Sequence, residues 1–236
     1  MNARWLYVFF IINSLFFSVA LKAQEKITAQ QASVFDYSQV RTVAEKKRIF
    51  FSILRPIILS ELQLIAEKRQ RIIRARDKGD DILWIKQLAT EYKIQWDDSN
   101  PDWDQLLLRV DGLPVDLIMV QAANESAWGL SRFARQGNNL FGQWCFSKGC
   151  GLVPGQRTEG ARHEVRRFSS INESITSYVH NINTFGAYRE LRNLRGQLRE
   201  QDKPLDAIFL AQGLKQYSSR GMAYVEEIQS MIRSMR

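Results

Sequence analysis

The sequence predicts a mostly α-helical chain of the α+β class, with one small β-lobe set between two helical stretches. Three observations carry this prediction. From Val40 to about Arg76, apolar residues such as Ile49, Ile53, Ile57, Leu64 and Ile72 recur at helix-like intervals. From Gly142 to Ser170 that period disappears, Gly and Pro accumulate, and "HEVRRF" alternates like a strand. Beyond Ser170 the helical period returns. A hydrophobic fraction of 45% over 236 residues supplies a core and excludes global disorder.

The chain opens with "MNARWLYVFFIINSLFFSVALKAQ", in which Arg4 precedes an apolar run from Trp5 to Val19 and then small residues. That is the three-part pattern of a secretory signal peptide, assigned to residues 1–23, with cleavage after Ala20 or Ala23. The run is short for a membrane span of ~20 residues, and no Cys follows the cleavage point. Contact with a membrane is therefore expected only through the signal peptide, and the mature protein is expected in the periplasm or outside the cell. Loss of Arg4 and Lys22 lowers the net charge from +8 to +6, which still suits an anionic partner: nucleic acid, anionic lipid or an acidic wall polymer. The export signal and the lack of a recognisable nucleic-acid module argue against the first.

Residues 24–110 read as a helical N-terminal extension. Pro56 should break its long helical stretch into two helices. The basic residues Lys46, Lys47, Arg48, Lys68, Arg69, Arg71, Arg74 and Arg76 read as a solvated face. Lys78 to Asp81 ends one element and caps the next. A third helix follows from Asp81 to Lys93, and "WDDSNPDWDQLLLRV" reads as a polar turn and a short helix.

Residues 111–236 form the second region. Pro114 suits the first turn of a helix, Val115, Ile118, Met119, Ala122 and Ala123 give it an apolar face, and Gly129 stops it. Glu125 then lies in the last turn of a largely buried helix. The helix dipole and an apolar surrounding both disfavour its charged form, so its pKa should rise. A carboxylic acid still protonated near neutral pH is what a glycosidase uses to protonate a leaving oxygen. The bland alternative, a surface Glu, fits poorly with the apolar run before it and Trp128 after it.

Cys145 and Cys150 in "WCFSKGCG" suggest a small disulfide-closed turn in an exported protein. His163 and His180 are the only histidines, too few for a zinc site, and no Ser-His-Asp elbow is present. No metal or other cofactor is implied. Past the lobe, Ser169 or Asn172 caps "ESITSYVHNINTF", with Tyr178, Ile182 and Phe185 on one face and His180 an ordinary helix residue. "AYRELRNLRGQLREQ", "LDAIFLAQGL" and a final segment ending in "AYVEEIQSMI" follow as helices.

The stretch Glu125-Ser126-Ala127-Trp128-Gly129, then Ser131-Arg132-Phe133-Ala134, then Asn139-Leu140-Phe141-Gly142 resembles the signature of the bacterial cell-wall glucosaminidases. The resemblance covers about Leu113 to the C-terminus. It implies a lysozyme-like domain with a small β-hairpin lobe that hydrolyses the β-1,4 bond after N-acetylglucosamine in peptidoglycan glycan strands, with Glu125 as general acid. It also implies a second acid in the lobe. Glu159, in a Gly-flanked turn, and Glu164, on a strand that holds its side chain more rigidly, are both candidates. The family's closing Tyr-Ala-Thr-Asp-Pro-x-Tyr is similar to Tyr217-Ser218-Ser219-Arg220-Gly221-Met222-Ala223-Tyr224, without the Asp-Pro. By this likeness Tyr217 contacts the sugar or stabilises charge, whereas Tyr224 reads as core. Sugar sites use aromatic faces and amides, so Trp128, Asn139, Phe141, Gln143 and Trp144 are the expected lining, with core packing the alternative for Trp128 and Phe141. A lytic transglycosylase using the same Glu, and a non-catalytic glycan-binding envelope protein, are the competing readings.

Overall fold

The computed structural model describes residues 35, 37–155 and 160–235. The signal-peptide stretch 1–23 and Glu159 lie outside the described residues. Helix α1 runs unbroken from Val43 to Lys78. Thr42 starts it by accepting from the Glu45 N–H at 3.1 Å, while Glu45 accepts from the Arg41 N–H at 3.2 Å, a local form of the capping box. Phe50, Leu54 and Ile58, then Ile65, Ile72 and Ala75, are buried along one stripe. Pro56 therefore does not divide the helix as its sequence suggests. Pro56 and Ser52, whose carbonyl it leaves unpaired within the helix, are both exposed to water. The buried stripe continues on both sides, and the helix runs on through the proline. Among the described residues α1 is the one helix long and apolar enough, by length and composition, to cross a membrane; here it supplies a wall of the core.

Helices α2 (Ile82–Glu91) and α3 (Trp103–Arg109) pack with the far end of α1 around Ile72, Ile85, Leu88, Tyr92, Leu106 and Val110. The α1 basic residues are exposed or partly exposed, as expected of a solvated face, and two of them also make specific contacts. Arg69 is half-buried and donates to the carbonyls of Leu107 and Val110. Arg71 lies over the Trp84 ring and pairs with Asp81 at 2.5 and 2.9 Å.

Helix α4 (Val115–Ser126) is central. It packs against α1, against α8 (Ala207–Ala211) and against α9 (Met222–Met235). Leu117 to Ala123 are all buried. Helices α6 (Ile171–Thr184) and α7 (Arg189–Glu200) close the remaining sides. Ser170 caps α6, one residue after Ser169 and two before Asn172, the two expected caps. Its hydroxyl accepts from the Glu173 N–H at 3.2 Å, and the Glu173 carboxylate returns to the Ser169 N–H at 2.8 Å. One hydrophobic core contains Phe50, Leu54, Ile58 and Ile65 of α1 together with residues of α4, α6, α7, α8 and α9. That core crosses the boundary placed at residue 110.

A polar knot sits at the same boundary. Asp111 is 3% exposed and Arg195 is fully buried. Arg195 donates to the carbonyls of Leu108, Asp111 and Gly112 and to Asn183 Oδ1, at 2.8–3.1 Å. Arg199 grips the Asp111 carboxylate with two bonds of 3.0 and 2.9 Å, and Arg69 stands 3.7 Å away. Burial alone would raise the Asp111 pKa. The charges of Arg195 and Arg69 and the Arg199 bonds outweigh it and hold the carboxyl below its usual range. Residues from α1, α3, α6 and α7 thus meet at one acid.

Helix α5 (Arg132–Gly137) leads into the lobe, which is a three-stranded antiparallel sheet rather than the expected hairpin. Its strands are β1 (Trp144–Cys145), β2 (Gly151–Leu152) and β3 (Glu164–Arg166), in the order β1-β3-β2. Val165 of β3 lies opposite Trp144 on one side and Leu152 on the other. Gly151 is required there, because a Cβ would stand 2.0 Å from the Val165 carbonyl oxygen. The overall class is the mostly helical α+β that the sequence predicts.

Candidate active site

Helix α4 delivers Glu125 to the edge of the core. Gln121 and Glu125 are one turn apart, so both project from the same face, Gln121 fully buried and Glu125 half-buried. No cation lies within ion-pair distance of Glu125 among the described residues. Glu125 Oε1 accepts from the Tyr224 hydroxyl at 2.8 Å and from the Asn124 side-chain amide at 3.3 Å. Burial is the largest influence on its pKa and raises it above the ordinary carboxylate value. The Tyr224 and Asn124 bonds and the Arg220 charge oppose that rise without cancelling it, and Glu227 adds to it.

The turn after Glu125 is tightly wound. Ala127, Trp128 and Gly129 have φ of 51°, 62° and 77°, three consecutive left-handed residues, of which the two non-glycines cost roughly 1–3 kcal/mol each. Buried Ser126 holds the turn: its hydroxyl donates to the Ala122 carbonyl at 2.6 Å and accepts from the Gly129 N–H at 2.7 Å. The Trp128 ring packs edge-on against Phe50 and Phe51 of α1, with Lys47 above it. Its carbonyl accepts from Tyr37 at 2.8 Å. A Cβ at Gly129 would meet the Phe35 ring at 2.6 Å. Trp128 therefore anchors the turn to the N-terminal helix.

Tyr224, which reads as core packing in the sequence, is buried and is also the hydroxyl on Glu125. Its oxygen accepts from Gln121 Nε2 at 3.0 Å, and Gln121 Oε1 accepts from Tyr178. Tyr217 stacks on Tyr224 with ring centroids 5.3 Å apart and donates to the Phe141 carbonyl at 3.1 Å. Phe141 is buried and stacks on Tyr178 at 4.0 Å. Tyr217 and Phe141 thus form the aromatic box around the hydroxyl chain. The sequence signal that points this way is Gln121, an amide following the apolar run of residues 117–120 and one turn before Glu125.

The lobe residues separate into two groups. Glu164 is 6% exposed, and its two oxygens accept from the N–H groups of Gly149 and Gly151 at 2.9 and 2.8 Å. One of the two candidates for a second catalytic carboxylate is thereby engaged in tethering the loop between β1 and β2. Cys145 and Cys150 close that loop with a disulfide. These three side chains lie within 4.8 Å of one another, but the disulfide removes both thiols as metal ligands. Asn139 is buried, and all its polar atoms serve the backbone. Its amide donates to the carbonyls of Gln143 and Arg166, and its Oδ1 accepts from the N–H groups of Phe141 and Gln143, at 2.8–3.2 Å. An amide expected to meet sugar instead folds the turn. Gln143 donates to Ser177 at 3.0 Å. Trp144 is 58% exposed and stacks on His163 at 4.0 Å, an open aromatic face on the lobe surface.

A half-buried acid at a helix end, hydrogen-bonded by a tyrosine and raised in pKa by burial, has the protonation behaviour that a glycosidase asks of its general acid. The sequence comparisons agree: the family described as mannosyl-glycoprotein endo-beta-N-acetylglucosaminidase matches residues 100–236. The chain belongs to this glucosaminidase family, which at family level is one of glycoside hydrolases. Among its relatives is Protein bax of Escherichia coli K12, 34% identical over 203 residues, covering 84% of this chain and 72% of that protein. No solved structure matches.

Proposed function

We propose that this protein is an exported endo-β-N-acetylglucosaminidase that cleaves the β-1,4 bond after N-acetylglucosamine in peptidoglycan glycan strands. We read its helical body and lobe as a lysozyme-like cleft. The observation that carries the proposal is Glu125: a half-buried carboxyl with no cation beside it, raised in pKa, at the end of the helix that carries the family signature. In the acid form it protonates the glycosidic oxygen as the C–O bond breaks; its carboxylate then takes a proton from the water that adds to the anomeric carbon, so one water is consumed per bond and the acid form is restored. Trp144 offers a face for a sugar ring. The net positive charge suits the carboxylates of the peptide stems. Neither step calls for a metal or other cofactor. The export signal at residues 1–23 places the enzyme in the periplasm or outside the cell.

The engagement of both Glu164 oxygens counts against Glu164 as the second carboxylate and leaves Glu159 as the other candidate; chemistry with Glu125 alone, which a lytic transglycosylase also uses, is the competing reading. The products decide between the two. Purified peptidoglycan digested by the mature protein and by Glu125→Gln is analysed by mass spectrometry. Reducing N-acetylglucosamine ends, absent with the variant, are expected. Anhydro-muramyl ends would assign the protein to the transglycosylases. Binding without products from either protein would leave a glycan-binding role.

A further inference from the structure

Glu125 has two oxygens, and a general acid works only if its proton is on the one that faces the leaving group. We infer that Gln121 and Tyr178 are positioning residues that, through Tyr224, keep Glu125 Oε1 a hydrogen-bond acceptor and so leave the catalytic proton on Oε2. This rests on the reading of Glu125 as the acid.

The direction of the chain follows from burial. The Tyr178 hydroxyl is wholly buried, and its one hydrogen-bond partner among the described residues is Gln121. A buried hydroxyl must place its proton on an acceptor, so Tyr178 donates to Gln121 Oε1. That fixes the amide: its NH₂ end faces Tyr224 and donates to the phenol oxygen at 3.0 Å. With an N–H already aimed at its oxygen, Tyr224 directs its own proton to Glu125 Oε1 at 2.8 Å. Asn124 donates to the same oxygen at 3.3 Å. A proton on Oε1 would face two donors. Oε2 accepts no hydrogen bond from any described residue and is free to hold it. A reversed Gln121 amide would turn its carbonyl to Tyr224, draw the phenol proton away and release Oε1.

The stacking supports the same arrangement. Phe141 on Tyr178, and Tyr217 on Tyr224, hold both rings in plane while their hydroxyls point along the chain. The other titratable groups around Glu125 are Tyr188, Tyr217, and the exposed Arg220 and Glu227, which pair with each other. On the α1 side Lys47 lies over Trp128. None of these hydrogen-bonds to either Glu125 oxygen.

The test is a carbon-13 NMR titration of the Glu125 side-chain carboxyl in the free protein, comparing wild type with Tyr178→Phe and Gln121→Met. Tyr178→Phe removes only a hydroxyl and keeps the stack on Phe141, so it folds even if Gln121→Met does not. Without the Tyr178 hydroxyl the Gln121 amide can reverse and draw the Tyr224 proton off Oε1, so the Glu125 titration should move upward by about one pH unit in Tyr178→Phe; in Gln121→Met, Tyr224 keeps Glu125 as acceptor but loses the N–H that polarises it, so the shift should be smaller, with the same sign. The alkaline limb of kcat/KM should move with it, and kcat should fall more than KM rises. An unmoved or lowered titration in a folded variant overturns the inference, because a merely packed chain would change melting temperature alone. Because the titration needs no substrate, an upward shift in a protein that cleaves no peptidoglycan would uphold the chain while refuting the glucosaminidase reading.

Discussion

Helix α4 has an acid at each end, and the protein treats the two in opposite ways. Asp111, just before the helix, is almost fully buried but surrounded by Arg69, Arg195 and Arg199, which keep it ionised. Glu125, in the last turn of the helix, is less buried and has a tyrosine and an amide in place of guanidinium groups. The helix dipole adds to the contrast at Glu125, where it disfavours negative charge in the last turn. Burial acts on both acids in the same direction; the partners decide the outcome. One acid is held ionised inside the fold; the other, on the proposed reading, is kept ready to donate a proton.

The largest expected effects come from removing each acid. Glu125→Gln should lower peptidoglycan turnover by about 10²–10⁴-fold without loss of stability. A folded-state pKa raised above the unfolded value gives stability that is complete below about pH 4 and lost as pH rises through the folded pKa. Gln therefore removes a cost at neutral pH, and urea unfolding there should show the variant at least as stable as wild type. Asp111→Asn should do the reverse. It leaves Arg195 buried without its counter-ion and should cost about 3–5 kcal/mol in the same urea experiment. The depressed Asp111 pKa contributes stability above its unfolded value of about 3.9 that is lost as pH falls through the lower folded value. The acid-side loss of stability should therefore be shallower in Asp111→Asn. Equal activity losses in the two variants, with equal stabilities, would erase the distinction.

Smaller effects belong to the lobe. Glu164→Gln cannot accept from both Gly149 and Gly151 with its amide nitrogen in place of an oxygen. It should cost about 1–3 kcal/mol, detected as faster amide exchange in the loop between β1 and β2. Turnover should fall far less than in Glu125→Gln; an equal fall, in a folded protein, would make Glu164 a chemical group after all. Replacing Cys145 and Cys150 together by Ser opens a short loop, a loss of about 2 kcal/mol on loop-closure grounds, confined to the same segment. Trp144→Ala should show the least, a rise of a few-fold in KM with kcat and melting temperature unchanged.

The sequence exposes Glu125 because the evidence is local: an acid at the end of an apolar run, next to Trp128 and before a glycine. The helices are equally legible, since their spacing is local too. The rest depends on residues far apart. Tyr224 reads as core until Gln121, 103 residues away, is placed beside it. The meaning of Asp111 needs Arg195 and Arg199, which on paper look like the outer face of a helix. Glu164 alternates like a free strand acid, but folding brings two backbone N–H groups to it. Asn139 sits in the right motif but turns inward to the chain's own amides and carbonyls. Pro56 shows a local preference overruled by packing, because Phe50, Leu54 and Ile58 are buried on both sides of it while its own ring is in water.

The most direct measurement is to follow the side-chain carboxyls of Glu125 and Asp111 in one carbon-13 titration of the folded, wild-type protein. Glu125 should titrate above the ordinary glutamate value of about 4.3, and Asp111 below the ordinary aspartate value of about 3.9. A Glu125 titrating at or below the ordinary value would contradict the assignment of this acid to proton donation.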